Sequence, residues 1–484
     1  EERVDLIFIF FLFKETGVSG NLNFDLWRLK YEKMTPSGFE KVWGERYFAN
    51  INIFPYLDFI QGDFEIRYIN SPFEIGQIYG MNMEKIFRKN IKIEKKPLKI
   101  EFFDIYKDFG KNLFAGFVKD ETVLLERFLK GFSGNLNISI FDFGFTYGRP
   151  YEYLYYSFNP SFPKDTLDEF KISEFKINPL PGIKIGAYHA FYDQNIFIEK
   201  KRAEFLGFNF NLKGGIITIY EEYSRRKGID KLIITDTLPY DFSKGFANYT
   251  QIIFSIKEYT ISGEYEKYSK YSTPYAFPPS IHPYGISLTQ GRNEEGYALN
   301  FLFPLFLFDF DVNLSKSFFR KDKKIEEERI NLRGDKYPFL FDFTFDNAYL
   351  KGAEIEEGFP PKIVQKRLER NFKVKLQYSF ELISPSFGIG IRKRNDILND
   401  TIYKYTEPSF DFEILHKFGF LSINYSKDKN KKDYYFFETM FQIKYNLEIS
   451  LSYGKQRGEI KCSGGICRYE PPFEGFKTKI SYSF

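Results

Sequence analysis

Phe476-Lys-Thr-Lys-Ile-Ser-Tyr-Ser-Phe484 is the stretch on which the reading of this chain turns. Side chains of an extended strand point alternately to its two faces. Phe476, Ile480, Tyr482 and Phe484 therefore share one face, and Lys477, Lys479, Ser481 and Ser483 the other. A strand with one apolar and one polar face, closing the chain on phenylalanine, suits a wall between hydrocarbon and water. In that reading the first set meets lipid and the second lines a wet lumen.

The same period of two recurs along the chain. Phe64, Ile66 and Tyr68 alternate with Asp63, Glu65 and Arg67, and Phe372, Val374, Leu376, Tyr378 and Phe380 alternate with Lys373, Lys375, Gln377 and Ser379. The cleanest run goes from Phe441 to Tyr453, with Gln442, Lys444, Asn446, Glu448, Ser450 and Ser452 on its polar parity. It is long enough for two strands, and a tight join near Asn446 is expected.

Composition agrees. Phe (60) and Tyr (36) make up most of an aromatic share of 20%, yet 28% of the 484 residues are charged. A soluble core of this size draws more on Leu, Val and Ala, whereas a barrel wall needs half-apolar strands and aromatic girdles. Net charge is +4 with both signs interspersed, so no basic stripe points to nucleic acid. The longest apolar run, Leu6 to Phe13, has eight residues. A membrane-spanning helix needs roughly 20, so helical spans are excluded.

Residues 1–20 admit two readings. Leu6 to Phe13 has the length of a signal-peptide apolar region, with small residues at Val18-Ser19-Gly20 for cleavage, but Glu1-Glu2-Arg3 and Lys14-Glu15 flank it wrongly. The alternative is an extra strand or anchor. Residues 21–484 read as one barrel domain, because no linker or long repeat divides them. Alternation begins by Leu22, leaving no room ahead of it for the plug of a TonB-dependent receptor.

Short punctuated connections are expected at Lys213-Gly214-Gly215, before Leu305, at Ser384-Pro385-Ser386 and at His416-Lys417. Longer ones, rich in Pro, Tyr and charge, are expected at 149–182, 269–296, 321–335 and 351–370. Short periplasmic turns and long extracellular loops describe an all-β, single transmembrane antiparallel barrel, here of about 18–22 strands, an even number being the rule for bacterial chains.

The C-terminal strand resembles the closing strand of bacterial outer-membrane barrels, which implies that Ile480, Tyr482 and Phe484 form the signal read by the barrel assembly machinery. Three segments resemble a family of uncharacterised outer-membrane proteins from bacteria related to the Bacteroidota: Asp104-Ile-Tyr-Lys-Asp-Phe-Gly-Lys111, Pro278-Pro279 leading to Glu294-Glu295-Gly296-Tyr297, and the stretch from Gly454 to Gly475. The third is the most specific. The resemblance implies a location, the outer membrane, and an architecture. It implies no activity and assigns no functional residue.

Cys462 and Cys467 flank Ser463-Gly464-Gly465. In an exported protein such a pair reads as a disulfide across a loop tip, contributing on the order of 2 kcal/mol for so short a loop. Free or lipid-modified thiols are the alternative, and a metal would want further ligands than this loop offers. Of the three histidines, His189 shares parity with Ile185 and Phe191, His416 falls in a turn, and His282 lies in a loop. None sits in a recognisable nucleophile motif, so no enzyme and no cofactor is expected. Gly388-Ile-Gly390 has no following helix and makes no phosphate site.

Asp63, Glu65, Arg67, Lys99, Glu101, Lys373, Lys375, Lys444 and Glu448 are the candidate lumen-lining charges. They either line a conduction path or pair across strands and close it. The aromatic loops around 151–162 and 271–277 either fold into the mouth as a lid or bind a glycan or protein. The expected function is a porin-like or substrate-specific channel for a small solute, its lumen constricted by inward-folded loops. The alternative is a non-conducting barrel that anchors or binds surface proteins or glycans.

Overall fold

The structure is a computed structural model that describes residues 16–35, 38–70, 84–117, 119–120, 125–154, 168–196, 199–228, 244–271, 281, 294–305, 308–319, 323–351, 354–355, 362–363, 366–380, 382–398, 401–428, 432–444, 446–456, 459–463, 466–470 and 473–484. Twenty-four antiparallel strands close into one barrel. Each pairs with its sequence neighbour, and Phe473–Ser483 closes the ring between Leu447–Gln456 and Thr16–Thr35. Closure leaves no strand edge unpaired, which is what lets a sheet span hydrocarbon.

The closing strand sits as its alternation predicts. Leu22 lies opposite Tyr482 and Phe24 opposite Ile480 on the outer face, while Asn23 faces Ser481 and Asp25 faces Lys479 on the inner one. The outer wall carries a belt of exposed apolar side chains, among them Phe143, Phe208, Phe254, Ile389 and Leu376. An even-stranded barrel with such a belt is the architecture of outer-membrane proteins. Among the described residues no helix is long and apolar enough to cross a membrane.

All the widest gaps between consecutive strands fall at one end of the barrel. The opposite end carries tight turns such as Ser139-Ile140, Pro181-Gly182, Gly215-Ile216 and Lys417-Phe418. The strand ends that flank the widest gaps, Asn70 and Glu84, Leu154 and Glu169, and Gly228 and Lys244, lie away from these turns, together with closely spaced ends such as Ile196 and Glu199. The run from Phe441 to Tyr453 is two strands, Asp433–Lys444 and Leu447–Gln456, joined at 445–446.

The strand count exceeds the expected range because charged segments read as loops are strands. Lys323–Lys336 takes up the charge run expected as a loop at 321–335, Lys366–Tyr378 begins inside 351–370, and Glu169–Leu180 lies inside 149–182. A membrane-spanning strand needs only about 9–11 residues. Longer strands continue past the hydrocarbon, where both faces are polar and alternation disappears. Ser384-Pro385-Ser386 is likewise inside the strand Ile383–Leu398; the preceding strand ends earlier, at Tyr378, and the Phe380 N–H donates to the Ile383 carbonyl across the join. The first strand starts at Thr16, so residues 16–20 belong to the wall; residues 1–15 lie outside the described residues.

Candidate functional site

The strand Leu98–Ile105 leaves the wall at its end. Phe103 adopts a left-handed φ of +76°, uncommon for a bulky residue. Asp104 fixes the departure: its Oδ2 accepts the Lys89 backbone N–H at 2.9 Å, and its carbonyl accepts the Asn90 side-chain amide at 2.8 Å. Beyond it the chain turns back on itself, Lys107–Asp108 pairing with Gly116–Phe117. Asn112, at φ +60°, ties this turn. Its N–H donates to the Phe109 carbonyl at 2.9 Å, its Oδ1 accepts the Phe109 N–H at 3.1 Å, and its Nδ2 donates to Asp108 at 2.8 Å.

This folded segment is docked inside the barrel. Phe109, Leu113, Phe114, Ala115 and Phe117 are buried in one cluster with Phe170, Ile172, Tyr188, Tyr192 and Phe205, which are inner-face residues of three neighbouring strands. Phe114 stacks on Tyr188 at 4.7 Å between centroids, and Phe117 meets Phe170 edge-on at 5.5 Å. Each buried Phe contributes roughly 1.5–3 kcal/mol by burial. The inner wall is apolar along this arc and polar on either side of it, so the arc is shaped to receive the segment.

Polar contacts set its register. Glu222, fully buried, accepts the Lys111 backbone N–H at 2.6 Å and the hydroxyls of Tyr220 at 2.5 Å and Tyr188 at 3.4 Å. Gly110 passes directly over this carboxylate at φ +60°, and a Cβ there would overlap Glu222 Oε2. Lys107 reaches the opposite flank, pairing with Glu174 at 2.5 Å and donating to Thr146 at 3.1 Å. Tyr106 meets Arg88, which pairs with buried Glu65. Lys111 Nζ lies 5.2 Å from the Tyr220 ring and 5.7 Å from that of Tyr249, a cation held against two aromatic faces. Tyr271 donates to Ser224 at 2.6 Å; burial raises its pKa and keeps it a donor.

The rest of the lumen has two halves. Toward the long loops the inner positions are buried, including Arg226, Arg367 and Arg394. Arg367 forms a two-bond pair with Asp396 at 2.7 and 3.0 Å, Arg392 pairs with Glu369 at 2.7 Å, and Arg329 with Asp346 at 2.6 Å. Toward the turns the inner wall is polar and accessible, with Asp63 exposed.

Of the candidate lumen charges, Asp63, Glu65, Lys99, Glu101, Lys373, Lys375 and Glu448 fall on this inner wall. Lys99 pairs with Glu101 at 3.5 Å, Lys375 with Glu413 at 2.9 Å, and Glu65 with Arg88. Lys373 lies opposite Gly390, and Glu448 lies between Gln442 and Ser481. Arg67 lies opposite Asn50, and Lys444 ends its strand at the turn rim; their side chains are outside the described residues.

His189 is on the outer wall, 2.8 Å from Glu204. His416 Nδ1 accepts the Phe418 N–H at 3.1 Å, and His282 lies outside the described residues. Cys462 and Cys467 are directly opposite in the hairpin of Glu459–Ser463 and Ile466–Glu470, with side chains outside the described residues. Ile480, Tyr482 and Phe484 face outward on the closing strand. Tyr151 stacks on Phe128 at 5.5 Å, while 155–167 and 272–280 lie outside the described residues. Among the described residues no cluster of His, Cys, Asp and Glu could hold a metal.

In the sequence the docked segment stands out only through the resemblance carried by Asp104 to Lys111, which gives it no role. The signal that finds it is a failure of alternation: Gly186-Ala-Tyr-His-Ala-Phe-Tyr192 carries apolar or aromatic groups on both faces. A strand apolar on both faces is covered on both.

A family of unknown function, DUF6029, matches residues 411–484. This region contains the stretch from Gly454 to Gly475 and the closing strand. No curated protein matches the chain. Among solved structures it is similar to the copper transporter OprC, at 9% identity and a TM-score of 0.48 over 98% of this chain and 82% of that one. It is similar to OccK2 (OpdF) of Pseudomonas aeruginosa, at 10% identity and 0.38 over 85% and 98%. The FrpB iron transporter of Neisseria meningitidis follows at 9% and 0.43 over 98% and 83%. Likeness at this level carries no functional argument.

Proposed function

We propose that this chain is an outer-membrane channel for small polar solutes, narrowed by the segment Tyr106–Phe117. The observation that carries the reading is the docking of that segment on one arc of the inner wall, beside a polar lumen accessible from the turn end. A segment that merely filled space would need no buried carboxylate under its apex and no glycine above that carboxylate. The path beside it presents Lys111, Tyr220 and Gln251, and also Glu264, which accepts from Tyr249 at 2.8 Å and from Gln251 at 3.1 Å. Passage is by diffusion past fixed polar groups.

A second reading rests on the burial of Arg226 and Arg394 on the inner face toward the loops. Wall groups covered there fit a barrel closed at that end, which anchors or binds a surface protein or glycan. Osmotic swelling of liposomes holding the folded protein separates the two. Uptake of small uncharged sugars with a sharp size cut-off is the channel; no uptake at any size is the closed barrel.

The same reading takes Ile480, Tyr482 and Phe484 as the groups recognised by the barrel assembly machinery, in a Gram-negative bacterium related to the Bacteroidota. It takes Cys462 and Cys467 as a disulfide at the tip of their hairpin. No catalytic role is assigned to His282, and a His282→Ala variant that lost a lipid- or peptide-cleaving activity would overturn that.

A further inference from the structure

On the outer wall, the strands Lys323–Lys336, Phe339–Lys351 and Lys366–Tyr378 bring Lys324, Lys351 and Lys366 into one cross-strand row. Two outward-facing positions closer to the turns, past Leu368, Arg370 lies directly opposite Lys393 of the strand Ile383–Leu398, flanked by the neutral Asn347 and Thr406. Like charges directly opposite on a sheet destabilise it. Inside the lumen the arginines of these same strands are matched by carboxylates. Outside, Glu326 takes Lys316 at 2.5 Å and Lys324 at 3.2 Å, and Glu328 accepts from Asn347 at 3.1 Å. Among the described residues no carboxylate lies within ion-pair distance of Lys351, Lys366, Arg370 or Lys393.

Their height explains what would match them. Arg370 shares its face with Phe372, Val374 and Leu376, and Lys393 with Ile391 and Ile389, all part of the apolar belt. At about 3.3 Å per residue along strands tilted about 40°, Arg370 stands roughly 20 Å above the turn end and Lys366 roughly 30 Å. An apolar band is about 25 Å tall, so the two levels straddle its upper border. Lys324 also lies 4.8 Å over the Tyr349 ring, as a girdle residue would.

We propose that this patch binds the phosphate-bearing headgroups of lipids in the leaflet at the loop end. The apolar belt holds the acyl chains against the strands below, and the two cationic levels meet the phosphates where the chains end. Basic clusters at a membrane border recognise anionic headgroups by this combination.

The test is native mass spectrometry of the folded protein in micelles doped with equal amounts of phosphatidylglycerol and phosphatidylcholine of the same chain length. Wild type is expected to retain phosphatidylglycerol preferentially, and a K324Q/K351Q/K366Q/R370Q/K393Q variant to lose that preference by about tenfold or more. A lumen variant, K99Q/K375Q, should retain it. Added sodium phosphate at the lipid concentration should not displace the lipid. If the quintuple variant does not give the heat-modifiable folded band, K351Q/K366Q reads the same comparison. Equal retention by a folded patch variant, no preference in wild type, or displacement by free phosphate would each overturn the proposal.

Discussion

Gly20 and Phe484 exchange two backbone hydrogen bonds, Gly20 N–H to the Phe484 carbonyl at 2.8 Å and Phe484 N–H to the Gly20 carbonyl at 2.9 Å. The last residue of the chain is thereby bonded to the first strand, and the barrel seam is sealed at its turn end. A Cβ on Gly20 would come within 2.5 Å of both Phe484 Cζ and the Asn52 carbonyl oxygen.

Gly20→Val is therefore expected to push the terminal ring out of place, at a cost of about 1–3 kcal/mol from overpacking. The fraction of protein running as the heat-modifiable folded band should fall, and the Gly20→Val/Phe484→Ala double variant should recover part of it. Unchanged folding of the single variant would show that the seam tolerates what the geometry forbids.

Lys107 and Glu174 form a largely buried pair, and Lys176 also reaches Glu174 at 3.1 Å. Removing the carboxylate leaves the largely buried Lys107 without its counter-charge, whereas removing Lys107 leaves Glu174 with the more exposed Lys176. Glu174→Gln is expected to cost about 3–5 kcal/mol and Lys107→Met distinctly less. Urea unfolding midpoints of the folded barrel measure both, and the reverse ranking would refute the assignment of Glu174 as the shared anchor.

Gly110 and Glu222 hold the apex of the docked segment. Gly110→Ala adds a Cβ against the buried carboxylate at a positive φ, and Glu222→Ala removes the acceptor of the Lys111 N–H. Both are expected to speed hydrogen exchange at residues 106–117 by tenfold or more, by the undocking of about 1.4 kcal/mol that such a factor represents. The strands Leu125–Ile138 and Ile183–Ile196 should keep wild-type protection. Uniform loss across the barrel would mean that these residues stabilise the fold and not the segment.

Cys462 and Cys467 sit at matching positions of their hairpin. A maleimide should label neither thiol in the denatured protein without reductant and both after reduction. Labelling without reductant would exclude the bond.

The wall was legible in the sequence and the device inside it was not. Ile480 and Tyr482 announce the outer face because lipid demands a strict period of two where the strand crosses it. Beyond the lipid that demand lapses. Lys324, Glu326 and Glu328 of the strand Lys323–Lys336 stand outside the apolar belt, so their segment reads as a charged loop. Phe109, Phe114 and Phe117 look like any aromatic loop until their partners are known. Those partners, Phe170, Tyr188 and Phe205, come from three strands whose meeting on one arc is a matter of register. Only the two-faced apolar stretch from Gly186 to Tyr192 hinted that something covers the inner wall there.

The central claim is that Tyr106–Phe117 narrows a conducting lumen, and single-channel conductance in a planar bilayer tests it most directly. Folded wild type is predicted to open in small stable steps, and folded Gly110→Ala in larger, noisier ones. Identical steps from the two proteins, or silence from both, would contradict it.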